Sequence, residues 1–362
     1  MRVGLLIYDS LETISGGYLY DRKLVEHLRA QGDHVEIISL PWRNYPHHLL
    51  DNFSRSLLKK CFKLQVDVLI QDELNHLSLA WLNNRLRVPF PIISLVHHMR
   101  CIELRPGWQN TIYRQIERRY LDSVDGFIFN SQTTKNSVAQ VSPINKRPWI
   151  IATPAGDRFD PKQIDTIDMV TRAQDSGPLR LIFLGNLIPR KGLHTLIESI
   201  SQLEQGYCIL EVVGGFDANS GYTQRIFQQV KHAGLEASIR FHGAQSDEAL
   251  VNLLENSQVL VVPSSFEGFG IVYLEGMGFG LPAIGTTQGA ASEIIVHGET
   301  GYLIKPEDSA GLAILLKYLC QDRKKLAALG LAARQRYQQF HGWDQNMAKI
   351  RTFLLELVGK QT

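Results

Sequence analysis

The sequence predicts an α/β protein of two doubly wound domains that face a central cleft. Three observations predict it. The chain has 362 residues, more than one ordinary hydrophobic core organises, so two domains are expected. Short aliphatic and β-branched runs alternate with longer stretches of helical period, which is the pattern of a parallel sheet covered by crossover helices. The alternation breaks between Pro154 and Pro178, where Gly156, Pro161 and Gly177 punctuate the chain, and then restarts.

In order, Val3–Tyr8 reads as a first buried strand, followed by Ser15-Gly-Gly17 and an amphipathic helix with Leu19, Leu24, Val25 and Leu28 on one face. A second strand follows Gly32, and Val66–Ile70, Ile92–Val96 and Gly126–Asn130 are further strands. This gives a first domain over residues 1–157, a linker over 158–177 with room for one helical turn, and a second domain over 178–342. In the second domain Leu179–Leu184, Ile209–Val213, Ile239–His242, Val259–Val262 and Pro282–Gly285 read as strands. Helices are expected over Leu193–Leu203, Thr223–Ala233 and Glu248–Glu255, from near Gly270, and from about Ala310 onward. Open α/β sheets place ligands at the carboxyl ends of their strands, so the cleft is the expected site.

Composition narrows the function. Apolar residues make up 44% and charged residues 20%, with a formal net charge of +2. That balance belongs to a globular protein and gives no global attraction for nucleic acid. The four cysteines, Cys61, Cys101, Cys208 and Cys320, are far apart and form no C-x-x-C pair. They read as thiols of a reducing compartment rather than a disulfide frame or zinc site. The opening apolar run ends at Asp9, too short for a signal-peptide core, and no segment has eighteen consecutive apolar residues. A cytoplasmic protein is expected.

The chemistry concentrates in Pro263-Ser-Ser-Phe-Glu267-Gly-Phe-Gly-Ile-Val-Tyr-Leu-Glu275. A buried strand ends, a glycine-rich turn follows and a helix begins. Free N–H groups at such a helix start suit a diphosphate or a sugar oxygen. Glu267 and Glu275, about two helical turns apart, would grip hydroxyls at two ends of an extended ligand, one taking the sugar and the other the ribose. The plainer reading makes Glu267 a helix cap and Glu275 a solvated face residue.

The surroundings favour the first. The chain resembles the GT-B glycosyltransferases, of the retaining family 4 type (glycosyl transferases group 1), whose hallmark Glu-x7-Glu stands here as Glu267 and Glu275. The resemblance covers nearly the whole chain. It takes in Gly16-Gly17, Pro91-Ile-Ile-Ser-Leu-Val-His97, Asn130-Ser131, Pro154-Ala-Gly156, Gly185 with Lys191-Gly192, Phe241-His-Gly243 and Trp343. It implies two Rossmann-like domains, the first completed by a C-terminal helix at about 343–362, and transfer of a sugar from a nucleotide diphosphate-sugar with retention of configuration. Domain closure that excludes water is expected with it.

Carried onto this sequence, the resemblance makes His97, Glu267, Lys191 and Arg190 the catalytic candidates. It places the donor among Gly16, Gly17, Asn186, Gly214, Gly243, Gly268, Phe269, Gly270, Ile271 and Glu275. Lys191 would neutralise the departing diphosphate and Arg190 would add a guanidinium. Asn186 departs from the arginine the family has after the glycine matching Gly185, and Arg190 is expected to take over that contact. His98 rivals His97, because successive strand residues face opposite ways. Nothing in the strand ends at Gly214-Gly215 and Gly243 distinguishes one nucleotide base from another.

No Asp-x-Asp occurs, so neither a metal nor another cofactor is expected. The acceptor is open among a glycan, a lipid-linked and a small-molecule acceptor. Arg55, Lys59, Lys60 and Lys63 alternate with Phe53, Leu57, Leu58 and Phe62, and Arg100, Arg105, Arg114, Arg118 and Arg119 follow. They read as a solvated helix face or as a peripheral membrane contact that delivers a lipid-linked acceptor. Two other functions fit the same halves: a GT-B-like sugar epimerase, and a non-catalytic nucleotide-sugar binder. A dinucleotide dehydrogenase does not, since Ser15-Gly-Gly17 is not a G-x-G-x-x-G turn.

Overall fold

The computed structural model describes residues 1–103, 105–159 and 164–360. The chain divides into two compact units, Met1–Pro154 with Gly342–Thr362, and Ala155–His341.

The first unit runs β1 (Arg2–Tyr8), α1 (Gly16–Ala30), β2 (His34–Leu40), α2 (Tyr45–Leu50), α3 (Arg55–Phe62), β3 (Val68–Asp72), α4 (His76–Leu79), β4 (Ile92–Val96), α5 (Gly107–Leu121), β5 (Gly126–Phe129), α6 (Gln132–Ala139) and β6 (Trp149–Ile151). All strands pair in parallel, in the order β2-β1-β3-β4-β5-β6. β3, β4 and β5 are buried at every residue, because helices cover both faces. α1 starts where Ser15 accepts the Tyr18 N–H through its side chain. A C-terminal helix, Trp343–Gly359, buries Trp343, Met347, Ile350 and Leu354 and packs on α1. There the Trp343 ring meets Tyr20 edge-on at 5.7 Å, and Arg351 bonds the buried Asp33 at 2.7 Å.

The second unit runs α7 (Thr166–Gln174), β7 (Leu179–Leu184), α8 (Leu193–Ser201), β8 (Cys208–Val213), α9 (Gly221–His232), β9 (Ile239–Gly243), α10 (Asp247–Asn256), β10 (Val259–Val261), α11 (Ile271–Gly278), β11 (Ala283–Thr286), α12 (Ala291–Ile294), β12 (Gly301–Ile304), α13 (Ser309–Gln321) and α14 (Arg323–Gln338). Its parallel sheet has the order β12-β11-β10-β7-β8-β9. Counted within the unit, that is the 3-2-1-4-5-6 order of a Rossmann domain. The order reverses between β7 and β10, the point where such sheets bind ligands. In the first unit it reverses between β1 and β3.

The stretch 158–177, expected as a linker, belongs instead to the second unit. Asp165 caps α7, which buries Met169 and Ala173 and packs on α14. Arg172 donates to the Glu255 and Phe279 carbonyls. The proline and glycine punctuation marks turns at the ends of a docked helix, and Pro161 lies outside the described residues. The expected first-domain edge at 157 likewise moves to Pro154. Among the described residues no helix is long and apolar enough to cross a membrane. All four cysteines are free thiols.

Candidate active site

In the second unit the expected residues gather at the switch point, on the loops that follow β7 and β10. Pro189–Lys191 form a single helical turn ended by Gly192, whose φ of +72° opens α8. Gly192 is required there twice over, since a Cβ would lie 2.1 Å from the Pro263 carbonyl oxygen. This close approach of the two loops brings Lys191 to Glu267. The Lys191 ammonium donates to Glu267 Oε1 at 2.7 Å, and the Ser264 hydroxyl donates to the same oxygen at 2.6 Å. Arg190 stands 3.6 Å from Oε1 and donates to the Phe266 carbonyl at 2.8 Å.

Burial would raise the Glu267 carboxyl, but the two cations and two hydrogen bonds outweigh it and hold it at about 2. Burial, with Arg190 beside it, lowers the Lys191 ammonium, against the pull of Glu267. Glu267 is therefore a compensated carboxylate, and its turn is also braced by backbone. Glu267 pairs with Gly289 in an isolated parallel bridge, and the Ala290 N–H donates to the Glu267 carbonyl. Gly289 was not singled out from the sequence. Its positive φ and the 2.2 Å approach of a Cβ to the Glu267 oxygen need glycine, yet nothing local in Thr-Gln-Gly-Ala signals it.

Glu275 is the opposite case. It lies in the second turn of α11, whose start is capped by Gly270 at a φ of +96° with no side-chain cap. It is not a solvated face residue: it is 4% exposed and its Oε1 accepts no hydrogen bond. Burial pushes its carboxyl up to about 7, only partly offset by Arg158 at 3.8 Å, whose own hydrogen bonds go to Asp247. Gly156 packs against this helix, where a Cβ would meet Leu274 Cβ at 2.7 Å. Phe269 and Ile271 are buried flanks of the turn, with Gly268 between Glu267 and Phe269.

The β8 end joins the same loops. A Cβ on Gly214 would meet the Gly185 carbonyl oxygen at 2.0 Å, and the Gly214 N–H bonds the Gly243 carbonyl at 2.9 Å. Asn186 accepts the Gly215 N–H at 3.1 Å. It is thus a latch between two strand-end loops, a use that the sequence comparison of one position did not reveal.

In the first unit His97 follows β4 beside its switch point. Its Nε2 donates to Asp21 Oδ1 at 3.2 Å, Tyr20 meets it edge-on at 5.2 Å, and a Cβ on Gly17 would lie 3.4 Å from its Cδ2. Gly17 lies beside the ring at the start of α1, while Gly16 opens that helix and is exposed. His98 is instead paired with Glu103 at 3.0 Å. Burial alone would lower His97, but Asp21, Asp72 and Glu73 raise it to about 9. Asp21, Asp72 and Glu73 were missed in the sequence, since each stands on a different segment from His97.

Two family models match in tandem: Glycosyltransferase Family 4 over residues 19–154 and Glycosyl transferases group 1 over 166–336. The glycogen synthase of Mycobacterium tuberculosis is 31% identical over 175 residues, 48% of this chain and 41% of its own length. The GDP-mannose-dependent alpha-(1-6)-phosphatidylinositol monomannoside mannosyltransferase of the same species is 26% identical over 259 residues, 68% of this chain and 66% of its own. The matched parts thus span less than two thirds of these relatives. The solved sucrose-phosphate synthase of Thermosynechococcus elongatus superposes with a TM-score of 0.83 over 99% of both chains at 20% identity, which establishes a shared fold. With a family 4 domain in its first unit, a group 1 domain in its second and a Rossmann-like sheet in each, the chain belongs to the GT-B glycosyltransferases.

Proposed function

We propose that the protein transfers a sugar from a nucleotide diphosphate-sugar to an acceptor hydroxyl, with retention of configuration and without a metal ion. The observation that carries this is the contrast within Glu-x7-Glu: Glu267 tied to Lys191 beside Arg190, and Glu275 buried with an unbonded oxygen. Lys191 and Arg190 supply the positive charge that a departing diphosphate needs, the part a divalent ion plays elsewhere. Glu275 Oε1 is the acceptor for ribose hydroxyls, and the backbone at Gly268, Phe269, Gly270 and Ile271 faces the sugar and diphosphate. The strand-end loops at Asn186, Gly214 and Gly243 take the rest of the nucleotide. His97, Gly16 and Gly17 serve the sugar and the acceptor. Retention rests on the family 4 resemblance. The GDP-mannose dependence in the name of the related mannosyltransferase supports the nucleotide-sugar class.

The test is a thermal-shift panel of UDP, GDP, ADP and their sugars in EDTA, followed by product analysis with and without acceptors. One nucleotide at a hundred times its dissociation constant is expected to stabilise the protein by about 2.7 kcal/mol. Transfer product would then separate a transferase from an epimerase, and binding without turnover would identify a non-catalytic binder.

The acceptor we favour is lipid-linked. α3 buries only Leu57 and Cys61 and turns Arg55, Lys59, Lys60 and Phe62 to solvent, with Lys63 following. Leu50 and Phe53 beside it are 62% and 72% exposed. Apolar side chains among cations suit an anionic bilayer surface. Co-sedimentation with phosphatidylglycerol vesicles at low salt is expected, and its loss in Lys59→Glu/Lys60→Glu; no sedimentation removes this reading.

A further inference from the structure

The first unit holds a buried acidic group that the proposed reaction does not use. Asp21 on α1 is 0% exposed, and Asp72 and Glu73 at the end of β3 are each 1% exposed. One oxygen of each has no hydrogen-bond partner. Such groups are costly to bury unless something compensates them.

Asp21, Asp72 and His97 bring polar atoms within 4.8 Å of one another, and of the two acids it is Asp21 that is hydrogen-bonded to the His97 ring. The ring is held on two sides, by Asp21 on Nε2 and by Tyr20 edge-on. With Nε2 spent on a fully buried carboxylate, Nδ1 is the ring nitrogen left for a ligand.

We propose that Asp21 is a positioning residue, which holds the His97 ring with Nε2 inward and keeps Nδ1–H outward as a donor to a sugar oxygen. The ligand class rests on the glycosyltransferase reading above; the Asp21–His97 arrangement does not. The groups facing the ring from neighbouring elements are Asp21 from α1 and Asp72 and Glu73 from β3 and the turn after it; burial raises Asp72 well above the carboxylate range and Glu73 to about 8, which leaves Asp21, bonded to Nε2, as the ring's direct partner. That bond agrees in sign with the upward shift of the ring to about 9. A protonated imidazole donates from Nδ1, whereas a neutral one bonded to Asp21 through Nε2–H offers only an acceptor there.

The experiment is a nitrogen-15 imidazole NMR titration of the full chain, wild type and Asp21→Asn, with and without EDTA. In the wild type the His97 ring is expected to stay doubly protonated to about pH 9, and in Asp21→Asn its proton affinity falls at least tenfold. In a transfer assay the basic limb of the kcat profile moves down with it, while the donor KM changes less than threefold. A wild-type midpoint near 6.5, an unchanged midpoint in the variant, or an EDTA-dependent shift showing that the acids hold a metal, each overturns the proposal. If Asp21→Asn does not fold, the wild-type titration decides alone. If the titration behaves as expected but no nucleotide sugar is turned over, the glycosyltransferase reading fails and the Asp21–His97 arrangement stands.

Discussion

Lys191→Ala is expected to lower kcat by about a hundred- to a thousand-fold, the range for removing a group that stabilises charge developing on a leaving oxygen. Lys191 is bonded to Glu267 in the free protein, so the ammonium is held in place by a protein anion and does not have to be gathered when the donor arrives. The loss should fall on kcat and leave the nucleotide dissociation constant within a few-fold, because Arg190 remains beside Glu267. Stability carries a second signature. Glu267 has its pKa held near 2 against an ordinary 4.5, so its ionised form adds about 3 kcal/mol above pH 4.5. That contribution fades as pH falls from 4.5 through 2. Removing Lys191 leaves a buried carboxylate with one cation fewer, and the acid-unfolding midpoint is expected to move to higher pH. Stopped-assay kinetics and urea unfolding across pH 3–7 would check both. An unchanged kcat would remove Lys191 from the leaving-group role.

Glu275→Gln is expected to make the free protein more stable while abolishing nucleotide stabilisation. The folded-state carboxyl is raised to about 7 from 4.5. For an acid shifted upward, the folded state holds the proton more tightly than the unfolded chain, so stability is lost as pH rises from 4.5 through 7. Above pH 7 the buried carboxylate costs about 3 kcal/mol, and the neutral glutamine recovers it. Below pH 4.5 the two proteins should unfold alike. A bound ribose would hydrogen-bond to the carboxylate and favour ionisation, so nucleotide binding near pH 6 is expected to release a proton. Calorimetry in buffers of different ionisation enthalpy measures that release, and Glu275→Gln should eliminate it. Equal stability of the two proteins at pH 8 would mean that Glu275 is not held near 7.

The sheet strands were legible because they are short aliphatic runs buried on both faces, and Ile92–Val96 and Leu179–Leu184 have the bounds read from the sequence. β12 was not legible: Gly301–Ile304 is four residues long at a sheet edge, with three of them half-exposed, so it lacks the apolar run of a central strand. α7 was hidden by flanking proline and glycine. The site was legible where chemistry is contiguous, as in Glu267 through Glu275, and illegible where it is assembled by the fold. Gly289 reaches Glu267 from beyond β11, Asp21 reaches His97 across 76 positions, and the Asn186 latch involves a loop 29 residues on. No local pattern encodes those pairs, because strand order alone makes them neighbours.

The helix Trp343–Gly359 has a consequence for how the polypeptide matures on the ribosome. It covers α1 of the first unit, yet it is translated after the whole of the second. Synthesis is vectorial, so residues 155–341 emerge complete while the face of α1 carrying Tyr20 still awaits Trp343. The unit whose sheet is synthesised first is therefore the one completed last. During that interval its uncovered apolar surface is the part of the nascent chain that a chaperone would meet.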